Sequence, residues 1–306
     1  MRGPLRKATL VLLTVGGLVT VGMSPALADE SHSDRHHHEI EQTVRVVGTG
    51  SSVQIDRHTI QSGSIHFAVR TTNPTAPDGS GGSQISLWKP RHGASVRDVL
   101  RDLQDEFSQT PSVAAKGTRE LTHDAVILGL ADVVKGYPEV VTEFVAPGTY
   151  FLMDLSNPPK SGPPALTALT VRPAGKNIEQ DSDLDSQVSV RATSSDRFIA
   201  PRDWPHQGTY TFTNVSDTLH FMAIQPVKRG TTDKQISTFF SGPQTGPPSF
   251  FVNGPGGGND VVTPGRSLQV TYHLPPGTYV LLCFVADDVT GMPHAVMGMH
   301  KVVVLH

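Results

Sequence analysis

Residues 275–306 read PPGTYVLLCFVADDVTGMPHAVMGMHKVVVLH and contain Cys283, the only cysteine among the 306 residues. An apolar run precedes Cys283 and predicts a strand that ends at the thiol. The chain then passes through His294 and Met299 into a second apolar run, which predicts another strand. A thiol, an imidazole and a thioether are therefore predicted to lie at one tip, between two strands.

These three side chains form a ligand set that copper prefers. Thiolate and imidazole bind copper strongly, and two histidines with one cysteine and a distant axial methionine form a known electron-transfer site. The stretch lacks the second histidine, so one must come from elsewhere. A lone cysteine is also often a small buried apolar residue, and methionines often serve packing alone. A degenerate site without metal is therefore the alternative.

The stretch resembles the ligand loop of the cupredoxins, the plastocyanin-like and azurin-like blue copper proteins. In that family a strand ends in Cys, a His follows, and Met comes five positions after the His, before a Val-rich strand. Cys283, His294 and Met299 match this order, and Gly298 completes the family's Gly-Met pair. Residues 284–293 make the interval between Cys and His longer than in plastocyanins, although copper nitrite reductases of the same superfamily also have a long loop there.

The resemblance also implies a first histidine from an upstream strand, after a turn that often carries Asn. The segment NVSDTLHFMAI at 214–224 fits this pattern and makes His220 the remaining metal ligand. Phe221 follows it, where family members commonly have a side chain that forms a hydrogen bond near the metal. His300 and Met297 flank the ligand loop and are alternative ligands.

The sequence contains an internal repeat, in which VAPGTYFLMD at 145–154 parallels LPPGTYVLLC at 274–283. Alternating apolar and β-branched residues between Pro-Gly turns predict strands in both copies. Each copy also has a helical segment, the first capped by Ser95 and the second at 232–240. The pattern predicts an all-β protein of two tandem Greek-key β-sandwich, cupredoxin-like domains, each with a short helix insertion.

The first copy lacks the metal ligands. Asp154 stands at the position of Cys283, and Ser83 stands at the position of His220, so the first domain is predicted to hold no metal. The predicted divisions are a signal peptide at 1–28, a disordered His-rich leader at 29–42, a metal-free domain at 43–173, a linker at 174–186 and a domain with the candidate copper site at 187–306.

The start of the chain resembles a targeting sequence. Basic residues precede an apolar run at 8–23 and the small residues Ala-Leu-Ala at 26–28, which predicts a secretory signal peptide cleaved near Ala28. An uncleaved membrane anchor is the alternative. The mature chain is predicted to be secreted and to have no membrane span. Three histidines at 36–38 allow metal binding by the leader, but a solvated tail is the favoured interpretation.

Charge and motifs restrict the function further. The formal net charge is −3 and the pI is near 6.5, without the clustered Lys and Arg that nucleic-acid binding requires. One cysteine forbids an internal disulfide. Laccase-like oxidases resemble the two-domain architecture, but they need repeated His-x-His pairs, and none follows His38. Gly-x-Ser-x-Gly and His-Glu-x-x-His motifs are also absent, so the chain is not predicted to be an enzyme.

Two functions remain. The first is binding of a single type-1-like copper, for electron transfer with an unidentified redox partner protein or for copper handling. The alternative is a metal-free secreted β-sandwich with a binding or structural role and a degenerate site. The Gly/Pro-rich loop at 242–258 would then be a binding surface, although Phe250 and Phe251 within it are predicted to belong to the core.

Overall fold

The computed structural model describes most of the two predicted domains. The described residues are 42–74, 81–157, 163–174, 186–243, 246 and 248–306. The predicted signal peptide, the leader up to residue 41 and linker residues 175–185 lie outside them. Within the described ranges, no helix is long and apolar enough to cross a membrane.

The described residues between 42 and 174 are called the first half. Its elements are β1 (Gln42–Gly48), β2 (Val53–Ile55), β3 (Thr59–Gln61), β4 (Gly63–Thr71), β5 (Ser83–Pro90), α1 (Val96–Glu106), α2 (Pro111–Asp124), β6 (Ala125–Val133), β7 (Glu139–Val145), β8 (Gly148–Asp154) and β9 (Thr167–Arg172).

The described residues between 186 and 306 are called the second half. Its elements are β10 (Val188–Thr193), β11 (Arg197–Ile199), β12 (Asp203–Trp204), β13 (Gln207–Asn214), β14 (His220–Val227), α3 (Asp233–Ser241), β15 (Gly257–Val262), β16 (Ser267–His273), β17 (Gly277–Leu282), α4 (His294–Met297) and β18 (His300–Leu305).

The strands form three sheets. One sheet has the order β3-β9-β8-β5-β6, a second has β12-β18-β17-β14-β15, and the third has β11-β10-β13-β16-β7-β4-β1-β2. Apolar side chains of the large sheet and of each smaller sheet join one core, for example Phe67 with Leu87 in the first half and Phe212 with Leu281 in the second. The predicted all-β class, with a sandwich in each half, is confirmed.

The two halves are joined by strand pairing, which the sequence did not indicate. Strand β7 of the first half pairs antiparallel with β16 of the second half, with Val141 opposite Val270. The large sheet is therefore continuous across both halves. Alternation shows which face of a strand is buried, but it does not show which strand lies beside it. The domain boundaries at 43–173 and 187–306 stay predictions.

The predicted helices begin where their caps indicate. Ser95 and Asp98 form a reciprocal capping box at the start of α1, and Thr232 caps α3 in the same way. Helix α2 was not predicted, because its buried face consists of small residues such as Ala114 and Gly117 rather than a stripe of large apolar side chains.

A buried carboxyl group lies where the two halves meet and predicts a pH-dependent stability. Glu139 is buried, and only its Oε1 atom accepts a hydrogen bond, from the Gly258 N–H at 3.3 Å, whereas Oε2 has no partner. Burial, with a smaller contribution from nearby Asp132, raises the pKa of Glu139 well above its usual value. In the folded protein the neutral form is therefore favoured.

The free energy of unfolding should fall as pH rises, because the unfolded chain loses this proton near pH of about 4 and the folded chain loses it only at higher pH. Between about pH 5 and about pH 8, we expect the total fall in the free energy of unfolding to be smaller in Glu139→Gln than in wild type, by at least about 1 kcal/mol. Urea unfolding at several pH values measures it, with Asp203→Asn, at an exposed position, as the control. Equal slopes in wild type and Glu139→Gln would contradict the assignment.

Candidate metal centre

The four predicted ligands come to one end of the second half. His220 is the first residue of β14, Cys283 directly follows β17, His294 is the first residue of α4, and Met299 lies between α4 and β18. All four side chains are fully buried. Strand β14 pairs antiparallel with β17, with Ala223 opposite Leu282. The start of β14 and the end of β17 therefore lie at the same end of the sheet, which brings His220 close to Cys283.

The Cys283 sulfur lies between the two imidazoles. Its Sγ atom is 3.7 Å from His220 Nδ1 and 3.6 Å from His294 Nδ1. The two rings are tilted by 50°, with centroids 4.6 Å apart. Met299 belongs to the same core cluster as Cys283. The structure therefore brings the sulfur and both histidines together, and Met299 is buried in the turn between α4 and β18.

These separations fit a shared metal ion. A metal–sulfur bond of about 2.3 Å and a metal–nitrogen bond of about 2.0 Å, at tetrahedral to trigonal angles, separate sulfur from nitrogen by roughly 3.5–3.7 Å. The observed distances of 3.6 and 3.7 Å agree. Without metal, the single S–H proton of Cys283 can reach only one of the two Nδ1 atoms. The donor set of two imidazoles, a thiol and a neighbouring thioether is the set that suits copper.

A short turn returns the chain to the sulfur after the long loop. The Ala295 N–H donates to the Cys283 carbonyl at 2.7 Å, and the His294 N–H donates to the Val285 carbonyl at 3.0 Å. The Met299 N–H in turn donates to the His294 carbonyl at 2.9 Å. These bonds hold the start of α4 against the end of β17, which is why His294 reaches Cys283 across ten intervening residues, 284–293.

Burial sets the protonation of the ligand side chains. It raises the pKa of the Cys283 thiol to about 12 and lowers that of His294 to about 4, where Asp287 opposes the shift. It also lowers the pKa of His220 to about 3, and His294 adds to this effect. At neutral pH both imidazoles are uncharged, as metal ligands must be, and the thiol has a proton to release when a metal binds.

Two main-chain donors near the sulfur were missed by the sequence analysis. The backbone N–H groups of Phe221 and Val285 lie near the thiol and oppose the rise in the pKa of Cys283. The sequence analysis considered only the side chain of Phe221, which is apolar and offers no hydrogen bond at this position. Hydrogen bonds to a thiolate stabilise it and tune a bound metal. No side-chain pattern could reveal them, because the donors belong to the backbone.

A carboxylate also lies beside the site. Asp196 has a left-handed backbone conformation, with φ of 52°, and its Oδ1 atom is 3.6 Å from His294 Nε2. Asp196, Asp287 and His294 form a second close group of potential ligand atoms. Burial raises the pKa of Asp196 to about 6, and Asp287 adds to the rise. The separation of 3.6 Å is longer than a hydrogen bond, and His294 Nε2 has no hydrogen-bond partner among the described residues.

The alternative ligands face other groups. The Met297 sulfur accepts a hydrogen bond from the Thr290 hydroxyl at 3.6 Å. His300 contacts Ser237 through Nε2 at 2.9 Å and Asp233 through Nδ1 at 3.4 Å, both next to or within α3. His300 does not join the group formed by His220, Cys283 and His294.

The matching positions of the first half form polar contacts instead. Ser83 begins β5 as His220 begins β14, and its hydroxyl is 2.7 Å from that of Thr71. Asp154 ends β8, and its Oδ2 accepts the Gly50 N–H at 2.8 Å. Over the described part of the chain, both close groups of potential ligand atoms lie in the second half.

Comparison with solved structures finds copper proteins, whereas no family model and no curated protein matches the sequence. Auracyanin from Roseiflexus castenholzii is 19% identical over 39% of this chain and 94% of that protein, with a TM-score of 0.25. Copper nitrite reductase from Nitrosomonas europaea is 10% identical over 87% of this chain and 94% of that protein, with a TM-score of 0.21.

The copper-containing nitrite reductase from Thermus scotoductus is 12% identical, with a TM-score of 0.22, and the match covers 87% of this chain and 61% of that protein. At these identities and scores, the chemistry of the site has to be judged from its own residues. The chain is similar to single-domain cupredoxins over part of its length and to two-domain copper proteins over most of it.

Proposed function

We propose that this chain binds one copper ion through His220, Cys283 and His294, with Met299 as a weak axial ligand. The observation that supports this most is the convergence of two Nδ1 atoms on the only thiol, at 3.7 and 3.6 Å, where all three side chains are fully buried. Bound copper would supply a one-electron couple between Cu(I) and Cu(II).

The surroundings of the site favour electron transfer or copper handling over catalysis. All four ligand side chains are fully buried, whereas a catalytic metal keeps a position open to water or substrate. The strand ends and the α4 turn fix the two imidazoles and the sulfur in place. The backbone donors of Phe221 and Val285 would stabilise the thiolate in both redox states.

Export of the chain is part of the proposal and rests on the signal-like residues 1–28. A lone thiol is a liability in an oxidising compartment. Cys283 is fully buried, and metal ligation would protect it further from oxidation.

The Gly/Pro-rich loop gives little support to the alternative of a metal-free binding module. Phe250 is buried, as predicted, and contacts Phe239 and Phe251 at ring-centroid distances of 5.6 and 5.1 Å. Phe251 is half-buried and packs against the same cluster. The aromatic side chains of this loop therefore belong mainly to the core rather than to a free surface.

Copper titration of the purified mature chain tests the proposal. We expect an intense visible absorption band from thiolate-to-copper charge transfer that saturates at one copper per chain. Met299→Leu should shift this band because it removes the axial thioether, whereas Met297→Leu should leave it unchanged, since the Met297 sulfur contacts Thr290 instead. Absence of both the band and copper binding would favour the metal-free module.

A further inference from the structure

The ligand loop, residues 284–293, lies against the helices of the first half. The Ala286 N–H donates to Glu106 Oε1 at 3.0 Å, and the Thr118 hydroxyl donates to the Ala286 carbonyl at 2.8 Å. Both side chains are buried, Glu106 at the end of α1 and Thr118 within α2. Both main-chain groups of Ala286 are thus bonded to side chains of the other half.

Two further contacts join the same surfaces. Arg119 of α2 donates a hydrogen bond to the Asp288 carbonyl. Gly291 has a φ of 68° and lies so close to the Pro111 carbonyl at the start of α2 that a Cβ atom at residue 291 would overlap it. Only glycine fits without strain at a residue that has a positive φ and lies in close contact with another backbone segment.

The ligand loop is compact between these contacts. The Asp287 N–H donates to the Met292 carbonyl at 2.8 Å, and the Gly291 N–H donates to the Asp287 carbonyl at 2.8 Å. Ala286 also forms a β-bridge with Pro293, the residue before His294. A constraint on Ala286 or Gly291 therefore passes through the folded loop to His294.

We propose that helices α1 and α2 position the ligand loop, so that the first half holds His294 in place for a metal it does not itself bind. This inference rests on the proposed copper site. Without contacts to α1 and α2, the ten residues between Cys283 and His294 could adopt many conformations. Ordering the loop when a metal binds would then cost conformational entropy. Glu106, Thr118 and Gly291 are the positioning residues, because they hold the loop through Ala286 and the start of α2.

A pair of glycine variants tests the contact with α2. Gly291→Ala and Gly265→Ala both introduce a Cβ atom at a residue with positive φ, 68° for Gly291 and 76° for Gly265. At residue 291 the added Cβ atom would overlap the Pro111 backbone, whereas at residue 265 it would point into open space. We expect Gly291→Ala to shift the visible copper band and to lose copper to a chelator about tenfold faster or more. Gly265→Ala should behave as wild type in both measurements.

A second pair tests the hydrogen bond to Ala286 without adding bulk. Thr118→Val removes the hydroxyl at nearly constant volume, and Thr118→Ser keeps the donor. Thr118→Val should shift the band and speed copper loss, and Thr118→Ser should restore wild-type values. Melting of the copper-free variants shows whether they are folded.

The outcomes separate the two proposals. If wild type shows the band, and both Gly291→Ala and Thr118→Val retain its position and the wild-type rate of copper loss, the positioning role is wrong while the copper site stands. If wild type itself shows no band, the copper site is wrong and the positioning role fails with it.

Discussion

Copper is expected to raise the unfolding temperature of the wild-type chain by about 7 °C and to leave that of Cys283→Ser nearly unchanged. A ligand that binds only the folded state adds about 4 kcal/mol when its free concentration is about 1,000 times its dissociation constant. Each kcal/mol raises the midpoint by about 1.7 °C for a chain of this length, because the entropy of unfolding is about 2.1 cal/mol/K per residue. Serine replaces the soft thiolate with a hydroxyl that copper binds poorly.

The measurement is calorimetry of the mature chain, first stripped of metal and then loaded with copper. Met297→Leu is the control, because the Met297 sulfur accepts a hydrogen bond from Thr290. An equal rise in wild type and Cys283→Ser would contradict the site at Cys283. It would direct attention to the histidines at 36–38, the other tract for which the sequence allows metal binding.

The convergence of His220, Cys283 and His294 could be predicted from the sequence because the four candidate ligands follow a fixed order and spacing. His220 opens a strand, Cys283 ends another, and His294 and Met299 stand five positions apart. The pairing of β14 with β17 then brings His220 and Cys283 to the same end of the sheet. Asp196 could not be found in this way, because it lies in a turn whose only distinguishing feature is a positive φ.

The length of the ligand loop was visible in the sequence, but its cause was not. Residues 284–293 exceed the interval in plastocyanins, and they fold against α2, a helix that the sequence analysis also missed. The contacts are made by single side chains such as Thr118 and by the backbone at Gly291. Contacts between distant segments depend on how the two halves pack against each other. The periodicity of apolar residues predicts helices and strands, but it does not predict which of them pack together.

Replacing Val270 with Asp is expected to lower the free energy of unfolding by about 4 kcal/mol or more, because it buries an unpaired charge in a packed sheet. Val270 is fully buried on β16 and pairs with Tyr210 on one side and Val141 of the first half on the other. Thr271→Asp is the control, because Thr271 is its exposed neighbour on the same strand. It should lower stability by only about 1 kcal/mol, because it removes the hydrogen bond between the hydroxyl groups of Thr271 and Thr209 and places Asp in a strand.

Hydrogen exchange tells whether this damage stays in the second half. Strand β7 receives hydrogen bonds from both β16 and β4, so loss of β16 leaves β7 as an exposed edge. We therefore expect Val270→Asp to speed amide exchange in β7 and β4 as well as in β13 and β16. Faster exchange confined to β13 and β16 would show that the halves unfold independently. Faster exchange in β7 and β4 as well would mean that the continuous sheet couples the stability of the two halves. A mutation in the first half could then affect the second half through β16 as well as through the contacts of α2 with the ligand loop.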